Sequence, residues 1–137
     1  MIIREFQRED VNKGLLETYK EVWWITEISE ATIDSYLNND NYMVVAELDG
    51  EIIGTATLHI QRKMIRNGGV AGLIEDVAVR EKHRGNKIGE QLTQHLIEKA
   101  KQLGCYKVIL SCFPERTAFY ERNGFAKESI TMRHYLK

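Results

Sequence analysis

The sequence predicts an α/β fold, one mixed β-sheet flanked by helices. Three observations carry that expectation. Short runs of strand-forming residues alternate with segments of helical apolar spacing, the pair Asp49-Gly50 joins two such runs, and Ile88, Leu92, Leu96, Ala100 and Leu103 mark one face of a long amphipathic stretch.

MIIREF has strand composition. A helix is expected over roughly Val11 to Val22, because Leu15, Leu16, Tyr19, Val22 and Trp23 recur at helical spacing, with a break from Trp23 to Thr26. Ser29 can cap a second short helix carrying Thr32, Ile33, Tyr36 and Leu37, which the polar run Asn38 to Asn41 ends. YMVVAELDGEIIGTATLHI then reads as two antiparallel strands, since a tight turn at Asp49-Gly50 needs positive φ. Gln61 to Gly72 is polar and basic and reads as a loop, leading to a strand from Leu73 to Val79. The long helix follows REKHRGNKIG and stops at Gly104; YKVILSCF reads as a buried strand. PERTAFYERNGF is expected as a short helix closed by Asn123-Gly124, and Phe125 to Leu136 as a final strand. The resulting order is βααβββαβαβ.

At 137 residues and 43% apolar composition, the chain is expected to form one domain, residues 1–137, with material for one core. Its 19 basic and 20 acidic residues nearly cancel, which leaves no electrostatic footprint for nucleic acid or an anionic membrane. Any bound anion must therefore be held locally. Arg4 and Glu5 interrupt the first residues before a signal-like apolar run can form, and no apolar stretch is long enough to span a bilayer, so a cytoplasmic location is expected. Cys105 and Cys112 then read as reduced thiols, and the four histidines show no metal-site spacing, so no metal is expected.

The segment that bears most on chemistry is a strand, a basic glycine-bearing loop and the start of the long helix. Free N–H groups and a partial positive charge at a helix N-terminus attract anions, and glycines let backbone approach a diphosphate closely. In a regular strand Glu75 and Asp76 point to opposite faces, so one of them faces a given ligand. The same alternation separates Ser111 from Cys112. No histidine is placed to activate Cys112, which reads as a core residue rather than an acyl-carrying nucleophile.

RGNKIG resembles the pyrophosphate loop of the GNAT superfamily, written R/Q-x-x-G-x-G/A, with Arg84 first, Gly89 last and Lys87 in place of a glycine. IEDVAV, LGCYKVILSC and FYERNGF are similar, in order, to segments of the glucosamine-6-phosphate N-acetyltransferases in that superfamily. The resemblance implies a fold in which two parallel strands, here Leu73 to Val79 and Lys107 to Phe113, splay apart around the pantetheine of acetyl-CoA. It implies that backbone of Asp76, Val77, Ala78 and Val79 pairs with that arm, and that Arg84, Gly85, Asn86, Lys87, Ile88 and Gly89 hold the diphosphate. Tyr120 is implied as the residue facing the coenzyme sulfur, and Glu75 as a group that binds sugar hydroxyls or accepts, through water, the amine's proton. Lys63 and Arg66 match the segment that binds substrate phosphate, Arg133 is implied to reach a neighbour's site across a homodimer, and Ser111 stands where relatives carry a substrate-positioning acid. Arg116 replaces a coenzyme-contacting asparagine, and Trp23 and Trp24 replace small hydroxyl residues. The implied reaction is acetyl transfer from acetyl-CoA to the amino group of glucosamine 6-phosphate, a phosphorylated amino sugar. The alternatives are a different small amine or an acetyl-CoA-binding dimer without catalysis.

Overall fold

A computed structural model describes residues Met1–Lys137. Strands β1 (Ile2–Glu5), β2 (Asn41–Leu48), β3 (Glu51–Arg62), β4 (Val70–Val79) and β5 (Cys105–Ile109) form one sheet in that order. Neighbours are antiparallel except β4 and β5, which are parallel, so the sheet is mixed as expected. The β2–β3 turn has φ of 50° at Asp49 and 79° at Gly50, the paired positive values of the tightest hairpin.

Helix α4 (Ile88–Gln102) crosses one face of the sheet and buries Ile88, Leu92, Leu96 and Ala100 against Val44, Ile53, Ala56, Leu58 and Ile74. Leu103, predicted on the same stripe, lies beyond the helix end and is exposed. Helices α1 (Leu15–Lys20) and α2 (Glu30–Leu37) cover the other face, where Phe6, Leu15, Ile33, Met43, Val45 and Ile52 form a second, smaller core. Ser29 caps α2, its hydroxyl accepting from the Thr32 N–H.

Four expectations need correction. The first helix is divided: a 3-10 turn (Arg8–Lys13) ends at Gly14, whose φ of 112° breaks helical continuity before α1. A side chain there would meet the Ile52 carbonyl at 2.8 Å, so the chain can pass the sheet only with glycine at that point. The loop expected from Gln61 to Gly72 is shorter than that span: β3 runs to Arg62, β4 starts at Val70, and the turn between them holds α3 (Ile65–Gly68), a single turn distorted by left-handed Arg66 and Asn67. The strand expected through Phe113 ends at Ile109. Phe125 to Leu136 forms no strand at all, because no edge of this chain's own sheet pairs with it; Ile130, Met132, Tyr135 and Leu136 remain exposed.

Candidate active site

The parallel ladder between β4 and β5 begins at Val70 and Cys105 and ends at Leu73 and Ile109. From Ile74 to Val79, β4 pairs with β3 alone. Along the same stretch Thr57 opposes Glu75 and Thr55 opposes Ala78, so β4 carries one residue more than β3, and Asp76 absorbs the excess with φ of 55°. An extra residue bends its strand and re-aims the groups beside it. The result is a cleft with a free backbone edge at Ile74 to Val79. A molecule with an extended, amide-bearing arm can satisfy such an edge as a further strand does.

The cleft runs toward the N-terminus of α4, whose cap residue Lys87 supplies no side-chain hydrogen bond to the first turn. Those N–H groups stay available, with the positive end of a 15-residue helix behind them. Gly85 at φ of 86° and Lys87 at φ of 60° fold the preceding loop back on itself. Arg84 Nε donates to the Val79 carbonyl at 3.0 Å, which fastens the loop to the end of β4, and within the loop Asn86 Nδ2 donates to the His83 carbonyl at 3.1 Å. The arrangement fits a diphosphate.

Helix α5 (Thr117–Arg122) forms the far wall. It is held to α4 by Gln94 Nε2, which donates to Asn123 Oδ1 at 3.0 Å, while Asn123 Nδ2 donates to the Phe119 carbonyl at 2.9 Å. Tyr120 lies edge-on to Phe119 at 4.9 Å and to Phe125 at 5.8 Å. Burial raises the Tyr120 pKa above the ordinary phenol value, with Arg116 opposing and Cys112 adding to the shift. The hydroxyl is therefore protonated at neutral pH and can donate. Cys112, expected in the core, is exposed, because the strand that was to bury it has already ended.

Glu75 and Asp76 do not face opposite ways, since the bulge cancels the alternation of a regular strand. Both carboxylates act on Tyr36, whose pKa is pushed up to about 12, chiefly by burial. Asp76 borders an apolar cavity of about 390 Å³ under the α1–α2 connection, lined also by Tyr19, Trp23, Trp24, Ile33 and Tyr36. Trp23 stands edge-on to Tyr19 at 5.8 Å, whereas Trp24 is 93% exposed at the rim. Arg80 ties α1 to the end of β4: its Nε donates to Thr18 Oγ1 at 3.3 Å and its Nη2 to the Gly14 carbonyl at 3.2 Å. On the other side of Tyr36 lies an open polar depression that includes Ser35, Asn39, Asn41 and His59. Sequence reasoning missed His59, Tyr19 and Tyr36. Spacing along β3 could have found the first, since a histidine two residues from Thr57 shares the face of the residue opposite Glu75.

The other candidates are not brought to Glu75 within one chain. Lys63 and Arg66 lie at the β3–β4 turn, about 20 Å along β4 from the bulge at about 3.3 Å per residue, and the Arg66 guanidinium stacks over Tyr106 at 4.6 Å. Arg133 lies in the unpaired tail and donates to the Tyr135 hydroxyl at 3.0 Å. The Ser111 hydroxyl is 2.6 Å from that of Thr131, joining the segment after β5 to the same tail.

The family model described as "Acetyltransferase (GNAT) family" matches residues 8–125. The chain is 34% identical to the glucosamine 6-phosphate N-acetyltransferase of Arabidopsis thaliana over 97% of its length and 95% of the relative's. It is 31% identical to the enzyme of the same name from Candida albicans, over 94% and 91% respectively. The crystal structure of the Arabidopsis thaliana enzyme superposes with a TM-score of 0.92 at 33% identity, covering 99% of this chain and 98% of that one.

Proposed function

The chain belongs to the acetyltransferase (GNAT) family, and from that premise we propose that it transfers the acetyl group of acetyl-CoA to the 2-amino group of glucosamine 6-phosphate, giving N-acetylglucosamine 6-phosphate. The observation that carries the reading is the parting of β4 from β5 after Leu73 and Ile109, in line with the uncapped start of α4. Relatives with that printed activity at 30% to 40% identity support the choice of acceptor.

Bound there, acetyl-CoA supplies an activated acyl group on a good leaving thiolate. The residues of the chain do the rest. The freed backbone of Asp76, Val77, Ala78 and Val79 orients the pantetheine arm, and an N–H beside the bulge polarises the acyl carbonyl with no reorganisation. Arg84, Gly85, Asn86, Lys87, Ile88 and Gly89 hold the diphosphate. Tyr120, kept protonated by burial, donates toward the sulfur. Glu75, on the acceptor side of the sheet, orients the amine and receives its proton directly or through water. No step requires a metal.

Lys63, Arg66 and Arg133 are cations for the sugar phosphate, and their distance from Glu75 is bridged by a homodimer in which the exposed tail around Ile130, Met132, Tyr135 and Leu136 is covered by a second copy. A cytoplasmic enzyme acting on a small phosphorylated amino sugar is the physiological setting. Ser111 favours a second reading, a different small amine, since a hydroxyl cannot attract an ammonium as a carboxylate does. Purified protein mixed with acetyl-CoA and an amine panel decides between them by thiol release. Release on adding glucosamine 6-phosphate is the expected result; a large gain on this sugar in Ser111→Asp favours the second reading, and efficient acetylation of another amine with none on this sugar overturns the assignment.

A further inference from the structure

His59 is fixed from two sides. It sits on β3 opposite Asn41 of β2, and its Nδ1 is 2.6 Å from Asn41 Oδ1. The Asn41 amide nitrogen is turned the other way, donating to the Tyr36 carbonyl at 3.4 Å, so the oxygen toward His59 is an acceptor and Nδ1 must carry a hydrogen. The remaining nitrogen, Nε2, is 3.5 Å from Glu75 Oε1. With Nδ1 carrying the hydrogen, the lone pair of Nε2 points at the Glu75 carboxylate, and the two groups together form a place that can receive one proton. The other ionisable groups around it do not compete for that place. Asp40, beside the depression, accepts from Arg62 Nε at 2.9 Å; the Tyr36 phenol donates to Thr57 Oγ1; Asp76 borders the apolar cavity on the far side of Tyr36.

We propose that His59 is a positioning residue for the acceptor amine's proton: oriented by Asn41 with Nε2 toward Glu75, it shares with that carboxylate the proton that the ammonium loses, and the pair passes it to water through the polar depression. The step balances. The ammonium gives one N–H proton to the Glu75–His59 pair; the freed nitrogen lone pair forms the C–N bond as the C–S bond breaks and the sulfur leaves with its electron pair; the nitrogen then loses a second proton to water, and the thiolate takes one from Tyr120, which solvent reprotonates, or from solvent directly. This rests on the reading that Glu75 faces the acceptor. It also gives the chain a proton acceptor on the β3 side although Ser111 provides none after β5.

Two measurements test it on the intact protein. Long-range ¹H–¹⁵N NMR of the wild type, without any substrate, is expected to show neutral His59 as the Nδ1–H tautomer; an Nε2–H tautomer overturns the proposal whatever the acceptor proves to be. Kinetics of His59→Gln, which keeps a donor toward Asn41 but cannot carry the proton, are expected to show kcat/KM reduced about tenfold, mainly in kcat, with the acid limb of the pH profile displaced. Wild-type kcat/KM with an unmoved limb overturns it. Should the wild type acetylate another amine instead of glucosamine 6-phosphate, the same kinetics on that amine decide the role of His59 while the substrate assignment fails separately.

Discussion

Phe119 closes over Gly89: its Cζ is 3.5 Å from where a Cβ on Gly89 would stand. That spacing is ordinary contact, so the fold accepts alanine, and in a helix alanine is favoured over glycine by up to about 1 kcal/mol. The methyl group would face Phe119 and Val79 rather than the loop, and the pyrophosphate loop admits alanine at its last position. Gly89→Ala is therefore expected to melt no lower than the wild type and to bind acetyl-CoA with unchanged affinity by calorimetry. A large loss of affinity would show that the coenzyme itself, and not Phe119, covers this side of Gly89.

Lys87 is the one residue of the same loop whose backbone works against its side chain. Its φ of 60° and ψ of 22° place it in the left-handed region, which costs an L-residue about 1 kcal/mol relative to glycine. Lys87→Gly gives up chain entropy on folding but relieves that strain, and a net gain of up to about 1 kcal/mol is expected from urea unfolding at neutral pH. The lost ammonium acts on coenzyme affinity in the opposite sense, and the loss should be visible at low salt and shrink as salt screens it.

Most of the fold was legible because its signals are local. The α4 stripe, the Asp49-Gly50 turn and the Ser29 cap each follow from a few neighbouring residues. What the sequence reading misjudged depends on pairing across the sheet. Nothing near Ile109 in the sequence says that β5 stops there, since strand length is set by whether β4 continues beside it. The bulge at Asp76 is equally non-local: it arises because β3 and β4 differ by one residue between Thr55 and Thr57, and it turns Glu75 and Asp76 from opposite-facing residues into neighbours of Tyr36. The tail after Phe125 has strand composition but no strand, because composition supplies side chains and a sheet edge supplies partners.

Tyr36 connects this site to stability at high pH. Its pKa rises from 10 to about 12 on folding, with burial the largest cause and Asp76 and Glu75 adding to it. A raised acid constant means that the folded chain favours the neutral phenol, so the contribution is complete below pH 10 and is lost as pH climbs from 10 through 12. Two units correspond to about 2.7 kcal/mol, or about 2 kcal/mol after allowance for partial solvent screening. Tyr36→Phe should be less stable than the wild type at pH 8, where the hydrogen bond to Thr57 is missing, and that deficit should shrink by pH 11.5. Urea titrations at both values check it; a deficit that stays constant would mean that Tyr36 ionises freely in the folded protein.

Tyr120 offers the most direct separation of packing from chemistry. Phe119 and Phe125 hold its ring on two sides, and both contacts survive in Tyr120→Phe, as do the Gln94 and Asn123 bonds that dock α5. The variant should therefore fold, melt near the wild-type temperature and bind acetyl-CoA normally. What it lacks is a proton donor in a wall of the cleft, and kcat is expected to fall about 10²-fold with little change in KM. The pH dependence adds a second check. Because burial raises the Tyr120 pKa above 10, loss of its proton cannot shape the wild-type profile until pH exceeds that value. An alkaline decline beginning there in the wild type and missing from Tyr120→Phe would identify the phenol as the acid. If instead the variant turns over at the wild-type rate across the whole range, Tyr120 is a packing residue and the departing thiolate takes its proton from water.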